Sequence, residues 1–169
     1  SGSQGTSNTF IGMLSGASND SGDYKTFLGH SAGYSAEGSG NLFLGNEVAS
    51  STSSGNYNIA LGYNVQLASS TASNQLNIGN LLYGTGLGIN TTAATGNIGI
   101  GNSAPQSRLD ITNSATSSAI ITLRDVIGNV SLEIRAGTST LNNAFVGTNA
   151  GLVNTTGSDN TFLGGDAGI

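Results

Sequence analysis

One five-residue phrase recurs along this chain at a nearly constant spacing, and it constrains the fold more than any other feature. The copies are Asn8-Thr-Phe-Ile-Gly12, Lys25-Thr-Phe-Leu-Gly29, Asn41-Leu-Phe-Leu-Gly45, Asn58-Ile-Ala-Leu-Gly62 and Gln75-Leu-Asn-Ile-Gly79, with closing glycines 17, 16, 17 and 17 residues apart. After an interruption the phrase returns as Asn143-Ala-Phe-Val-Gly147 and Asn160-Thr-Phe-Leu-Gly164, again 17 apart. A second glycine stands seven residues before the first at Gly5, Gly22, Gly38, Gly55 and Gly157, so two separate markers carry one phase.

Each unit reads as a short apolar strand, a Gly turn, a small-residue stretch such as Ser31-Ala-Gly-Tyr34, and a Ser/Gly/Asn turn. Seventeen residues are too few for a helical repeat of about 34 or a leucine-rich repeat of about 20 to 29. The period therefore predicts an all-β chain, a β-solenoid (β-roll or β-helix) of about 17-residue coils. Coils stacked about 4.8 Å apart place equivalent side chains in ladders. Ile11, Leu28, Leu44, Leu61, Ile78, Val146 and Leu163 form one row, and Phe10, Phe27, Phe43, Phe145 and Phe162 form the next. Adjacent strand positions face opposite ways, so both faces of the strand are apolar. A narrow coil buries one of them, and an identical chain is the simplest cover for the other, which predicts a homo-oligomer. The Phe row lapses at Ala60 and Asn77, which predicts a change of environment near the end of the first block.

Three segments follow: solenoid repeats over 1–95, a β-strand and hairpin module over 96–138, and repeats again over 139–169. In the middle segment Ala119-Ile-Ile-Thr-Leu-Arg-Asp125 and Asn129-Val-Ser-Leu-Glu-Ile-Arg135 alternate around Val126-Ile-Gly128, a hairpin signature. All three Arg of the chain lie in this segment, and alternation of Arg with acid suits lateral salt bridges of at most about 1 kcal/mol each.

Composition narrows the function classes. The 169 residues hold 27 Gly and one Pro without a Gly-X-Y triplet, which excludes collagen. Nine acidic against four basic residues give a net charge of −5, the wrong sign for neutralising phosphates, so no nucleic-acid partner is expected. With no Cys there is neither a disulfide framework nor a thiolate metal site. No window approaches the roughly 18 apolar residues of a membrane span, so no membrane insertion is expected. The chain opens at Ser1 without Met, which points to a processed product or a fragment. Gly164 is five residues from the last residue and Gly12 is the twelfth, so a following copy would keep the 17-residue phase, as tandem or head-to-tail stacking requires.

Asn160-Thr-Phe-Leu-Gly164-Gly-Asp-Ala-Gly168 and Thr26-Phe-Leu-Gly29-His-Ser-Ala-Gly-Tyr34, with Asn154-Thr-Thr-Gly-Ser-Asp-Asn160 between copies, resemble repeats of bacteriophage tail fibres and of large bacterial surface proteins. They are similar, more distantly, to the head repeats of trimeric autotransporter adhesins, whose coil is shorter by two or three residues. The run Gly96-Asn-Ile-Gly-Ile-Gly-Asn-Ser-Ala-Pro-Gln-Ser-Arg-Leu-Asp-Ile111 looks like a junction of phage-fibre-like proteins before a short β-rich module. The resemblance implies a homotrimeric, extracellular fibre, at a cell surface or on a virion, and no catalytic residues to carry over.

No enzyme is expected. The one His, His30, follows a repeat glycine, and neither a partnered nucleophile nor a Gly-x-Ser-x-Gly elbow accompanies it. Asp20, Asp23 and Asp159 fall in turns where carboxylates cap backbone amides, and the calcium nonapeptide is absent. Gly84-Thr-Gly-Leu-Gly88 precedes no helix and ends in no Lys-Ser/Thr, so it reads as a turn and not a phosphate loop. The Asn-x-Ser/Thr triplets at Asn19, Asn90, Asn129 and Asn154 arise by chance in so Asn- and Ser-rich a chain. No cofactor and no metal are expected. The opening Asn8, Asn41, Asn58, Asn143 and Asn160 predict a side-chain ladder along the stack. Two functions remain: a structural fibre module with end-to-end continuity, whose ladders are its working residues, or an adhesin or receptor-binding fibre segment. For the second, Tyr24, Tyr34, Tyr57, Tyr63 and Tyr83 could meet a surface glycan.

Overall fold

The computed structural model describes residues 5–51, 54–88, 93–112, 121–124, 127, 130–136, 143–154 and 156–168. Every element among them is a strand or a turn, and the chain forms two compact units, Ser1–Ile111 and Thr112–Ile169.

The first unit is one eight-stranded sheet in chain order. Its first five strands are three residues each: β1 (Thr9–Ile11), β2 (Thr26–Leu28), β3 (Leu42–Leu44), β4 (Ile59–Leu61) and β5 (Leu76–Ile78). They pair in parallel with no slip, Phe10 beside Phe27, Phe27 beside Phe43, Phe43 beside Ala60 and Ala60 beside Asn77. This is the parallel β-solenoid of about 17-residue coils that the period predicts. Three residues suffice for a strand because each coil shares its hydrogen bonds with the coils above and below.

The solenoid then changes hand of pairing. Strand β6 (Leu82–Gly84) folds back antiparallel on β5, β7 (Ile98–Ile100) is antiparallel to β6, and β8 (Leu109–Ile111) is parallel to β7. Asn77 stands where the row of aromatic rings has run out. Its Nδ2 donates to Gln66 O and Asn80 Oδ1, while its Oδ1 accepts from Asn80 N, so a polar side chain closes the end of the parallel stack.

The second unit is a four-stranded sheet in the order β12-β11-β10-β9. Strands β9 (Ile121–Arg124) and β10 (Val130–Ala136) form the antiparallel hairpin expected there, with a register shift between Val130 and Leu132. Strand β11 (Ala144–Val146) pairs antiparallel with β10, and β12 (Thr161–Leu163) returns to the in-register parallel pairing, Phe145 beside Phe162. The sequence divides the middle segment from residue 96, whereas β7 and β8 belong to the first sheet.

The core decides which apolar row lies inside. Phe27 and Phe43 are fully buried, and their rings stack 4.9 Å apart at 8°, the spacing of the strands themselves. Across the coil, Ala32 faces this row in the second coil, and Val48 and Val65 do so in the third and fourth. Where Phe gives way to Ala60, the facing Val65 keeps the interior filled.

Candidate assembly surfaces

The residues that could act on anything outside the molecule are those the coil leaves uncovered. In β2 and β3 the burial pattern is exposed, buried, exposed, so the Phe row points in and the flanking rows point out. Leu28 is 42% exposed, Leu42 43% and Leu44 38%, and Ile11, Ile78, Ile98, Ile100 and Leu109 are exposed as well. Leu61 and Ile59 are half-buried. Six of the eight strands of the first sheet therefore turn an exposed large aliphatic side chain outward, while those of β4 and β6 are half-buried. At the strand spacing of about 4.8 Å the stripe is about 34 Å long. In the second unit Leu163 is strongly exposed, Val146 half-buried and Phe145 buried.

Beneath the surface, the buried Asn column ties neighbouring coils together. Asn41 Oδ1 accepts from Asn58 N at 2.8 Å, and Asn58 Oδ1 accepts from Gln75 N at 2.8 Å. Asn41 Nδ2 donates to Gly55 O, Asn58 Nδ2 to Ala72 O, and Asn143 Nδ2 to Gly157 O. The expected ladder is therefore built from side chain to backbone, each amide bracing the turn of the next coil, and not from amide to amide.

Lys25 occupies this column in the second coil and is fully buried. Its Nζ donates to Asn19 Oδ1, to Ser21 O and, at 3.0 Å, to Ala36 O. Burial pulls its pKa from 10.5 down to about 8, opposed by the charges of Glu37 and Asp23. A side chain without an acceptor thus stands in the column, while Asn8 Oδ1 accepts from the Lys25 backbone N–H as Asn41 and Asn58 do for the residues that follow them in the column.

The other polar candidates have structural partners. His30 Nδ1 lies 3.3 Å from Asn46 Nδ2, and its carbonyl accepts from Glu47 N. Asp23 accepts from Thr6 N and Thr6 Oγ1. Among the described residues no three His, Cys, Asp or Glu come together as a metal site. Arg108 directs its guanidinium at the carbonyls of Ala94 and Gly96. Asn19 donates to Ala36 O, and Asn154 Oδ1 accepts from Gly157 N. Asn90 and Asn129 lie outside the described residues, as do Val126 and Gly128 of the hairpin turn and the side chains of Arg124, Glu133 and Arg135. Tyr24, Tyr34, Tyr57 and Tyr63 are exposed, and Tyr83 is half-buried.

No protein family, curated protein or solved structure matches the chain.

Proposed function

We propose that the chain is a structural module of an extracellular fibre. Identical chains, three by the resemblance of the repeats, pack side by side through the outward Leu and Ile rows, and units continue end to end. The observation that carries this reading is the aliphatic stripe over β1 to β8, exposed on six strands and half-buried on β4 and β6, because such a row facing water costs solubility unless another surface covers it. Burial of the one lysine supports a mechanical role, since it removes a trypsin site from an exposed shaft. In this role the protein performs no catalysis, holds no cofactor and binds neither nucleic acid nor a membrane interior. Sedimentation of the purified chain over a range of concentrations tests it: a trimer is expected, and a monomer at every concentration would sink the lateral packing.

The exposure of Tyr24, Tyr57 and Tyr63 favours a second reading, an adhesin or phage receptor-binding segment whose tyrosines stack on surface glycans. Screening the chain against a glycan panel separates the two. Saturable binding lost on Tyr63→Ala supports the second reading, and no binding to any glycan leaves the structural one.

A further inference from the structure

The position before the Asn column is held by Ser7, Tyr24, Gly40, Tyr57 and Asn74 in the five coils of the first block, and its backbone is left-handed in all of them, with φ from 57° to 67°. Glycine and asparagine take this conformation at least cost, and a large ring does not. Tyr24 is 70% exposed and Tyr57 49%. Among the described residues neither ring stacks on another aromatic side chain and neither hydroxyl makes a hydrogen bond. Burial therefore does little to offset the strained backbone, and the rings stand ready for contact with something outside the chain. We infer that Tyr24, Tyr57 and the polar side chains beside them form a strip that binds a neutral, linear, β-linked polysaccharide laid along the coil stack. This deepens the glycan reading and rests on it, by naming the residues and the class of ligand.

Three independent features fit. The first is shape. Tyr24 and Tyr57 stand two coils apart, about 9.6 Å between Cα atoms at the strand spacing. The coil between them carries Gly40, where a Cβ would lie 2.5 Å from Tyr57 Cδ1 and 2.8 Å from its Cε1. The Tyr57 ring thus leans along the stack towards Tyr24 and crosses the third coil where the missing Cβ leaves room. One aromatic strip runs over the second, third and fourth coils, one sugar wide and long enough for the apolar faces of two sugars. An extended glycan fits such a strip, whereas a coiled or branched one meets a single ring. Tyr63 is a lone ring by comparison, since its row carries Met13, His30, Asn46 and Asn80 in the other coils.

The second is hydrogen bonding. One residue before the tyrosine row, Asp23, Ser39, Asn56 and Ser73 make a polar row of their own. Thr6 N donates to Asp23 Oδ1, Asp23 N to Ser39 Oγ, Ser39 N to Asn56 Oδ1 and Asn56 N to Ser73 Oγ. These bonds hold the side chains in place on the coil edge. Ser39 and Asn56 are half-buried, and the Ser39 hydroxyl proton and Asn56 Nδ2 have no acceptor among the described residues, so both can donate to sugar hydroxyls.

The third is charge. From residue 5 to residue 88 the only Lys or Arg is Lys25, which is buried, while Asp20, Asp23, Glu37 and Glu47 lie in the same stretch. With no surface cation to meet a uronate or a sulfate group, the strip selects uncharged sugars.

Calorimetric titration of the full chain tests the strip. The probes are hexamers of β-1,4-linked glucose and of β-1,4-linked N-acetylglucosamine, with the β-1,4-linked mannuronate hexamer as the acidic control. At least one neutral hexamer is expected to bind saturably, and the mannuronate hexamer is expected not to bind. Tyr24→Asn and Tyr57→Asn install the residue that Asn74 already places in this row, so the backbone loses strain. Each should lower the association constant at least about tenfold while the thermal midpoint equals or exceeds the parent's. Gly40→Asn keeps both tyrosines but occupies the ground under the Tyr57 ring, and it should weaken binding in the same way. A midpoint that falls in either tyrosine variant would show that the rings pack for the fold, and fewer oligomers in sedimentation would show that they meet another copy. Either result overturns the strip. A neutral hexamer bound equally by the parent and both tyrosine variants overturns the strip and leaves the glycan reading standing. Binding of mannuronate alone, or only of other glycans from the panel, overturns the ligand class. A chain that binds none of the hexamers and nothing on the panel overturns the glycan reading itself, and the strip with it.

Discussion

At the scale of the residue, the repeat is written by glycine and by the Asn column. Gly45 closes its strand at φ 131°, and a Cβ there would lie 1.7 Å from Gly62 O of the next coil. Backbone cannot yield as a flexible side chain does, so Gly45→Ala combines forbidden φ with a steric overlap. It is expected to cost at least about 3 kcal/mol, read as a fall in the midpoint of chemical denaturation. Gly33 serves a different need: a Cβ there would lie 2.4 Å from the Phe27 ring, so the small-residue stretch after each strand is the floor on which the ring rests. Lys25 gives the residue-scale test in pH. Its folded pKa lies near 8, below the 10.5 of the free side chain, because burial disfavours the charged form. Below pH 8 both states carry the proton. Between 8 and 10.5 the unfolded chain binds more protons than the folded one, so stability rises with pH across this window. Lys25→Asn restores the amide that three neighbouring coils use and removes the titrating group. Denaturation midpoints measured from pH 7 to 10.5 should rise in the parent relative to the variant, and parallel curves would refute the assignment.

At the scale of the element, a three-residue strand holds through what it stacks on. Phe43 is fully buried, with the Phe27 ring on one side and Ala60 on the other, so Phe43→Ala should cost about 3 to 5 kcal/mol in thermal or chemical unfolding. Leu44, one residue on and turned outward, should cost under about 1 kcal/mol when truncated in the isolated chain at low concentration. Equal losses at the two sites would mean the rows are misassigned. The column behaves in the same way. Asn58→Ala strands the buried N–H of Gln75, while the carbonyl of Ala72 keeps Gln75 Nε2, and about 1 to 3 kcal/mol is expected. Much of this was legible beforehand. Period and phase located seven strands because hydrogen-bond ladders force equivalent residues into register, and the column was visible as five asparagines. Which apolar row points inward was not, since Phe and Leu are both hydrophobic. The signal that decides it was present in Gly33 and Gly151, whose lack of Cβ makes room for the rings of Phe27 and Phe145. Nor did the sequence announce the reversal at β6. Leu82-Tyr-Gly84 falls outside the template, so the antiparallel return on β5 is not written in the repeat. Lys25 was readable by position but not by burial, because lysine ordinarily keeps its charge in water.

At the scale of the whole molecule, the two strand faces divide the labour between stability and assembly. The inward row and the column make each unit cohere without help, while the outward Leu and Ile side chains add little to the chain that bears them. A polar substitution there should therefore separate folding from association. Leu42→Ser with Leu44→Ser changes two outward positions of one strand and leaves Phe43 between them untouched. If three chains meet along this stripe, each leucine withdrawn from the contact forfeits about 0.6 to 1.2 kcal/mol of burial per chain, since about two fifths of its surface is still exposed in the single chain. The circular-dichroism spectrum should stay that of the parent at 10 °C, while sedimentation should move from oligomer to monomer. The thermal midpoint carries the same information by mass action: it rises with protein concentration where the native state is an assembly and becomes flat when it is not. Parent and double variant should meet on one curve at high dilution and diverge as concentration rises. A parent whose midpoint is already independent of concentration would show that the stripe faces water in solution, and the lateral contact would then have to be abandoned.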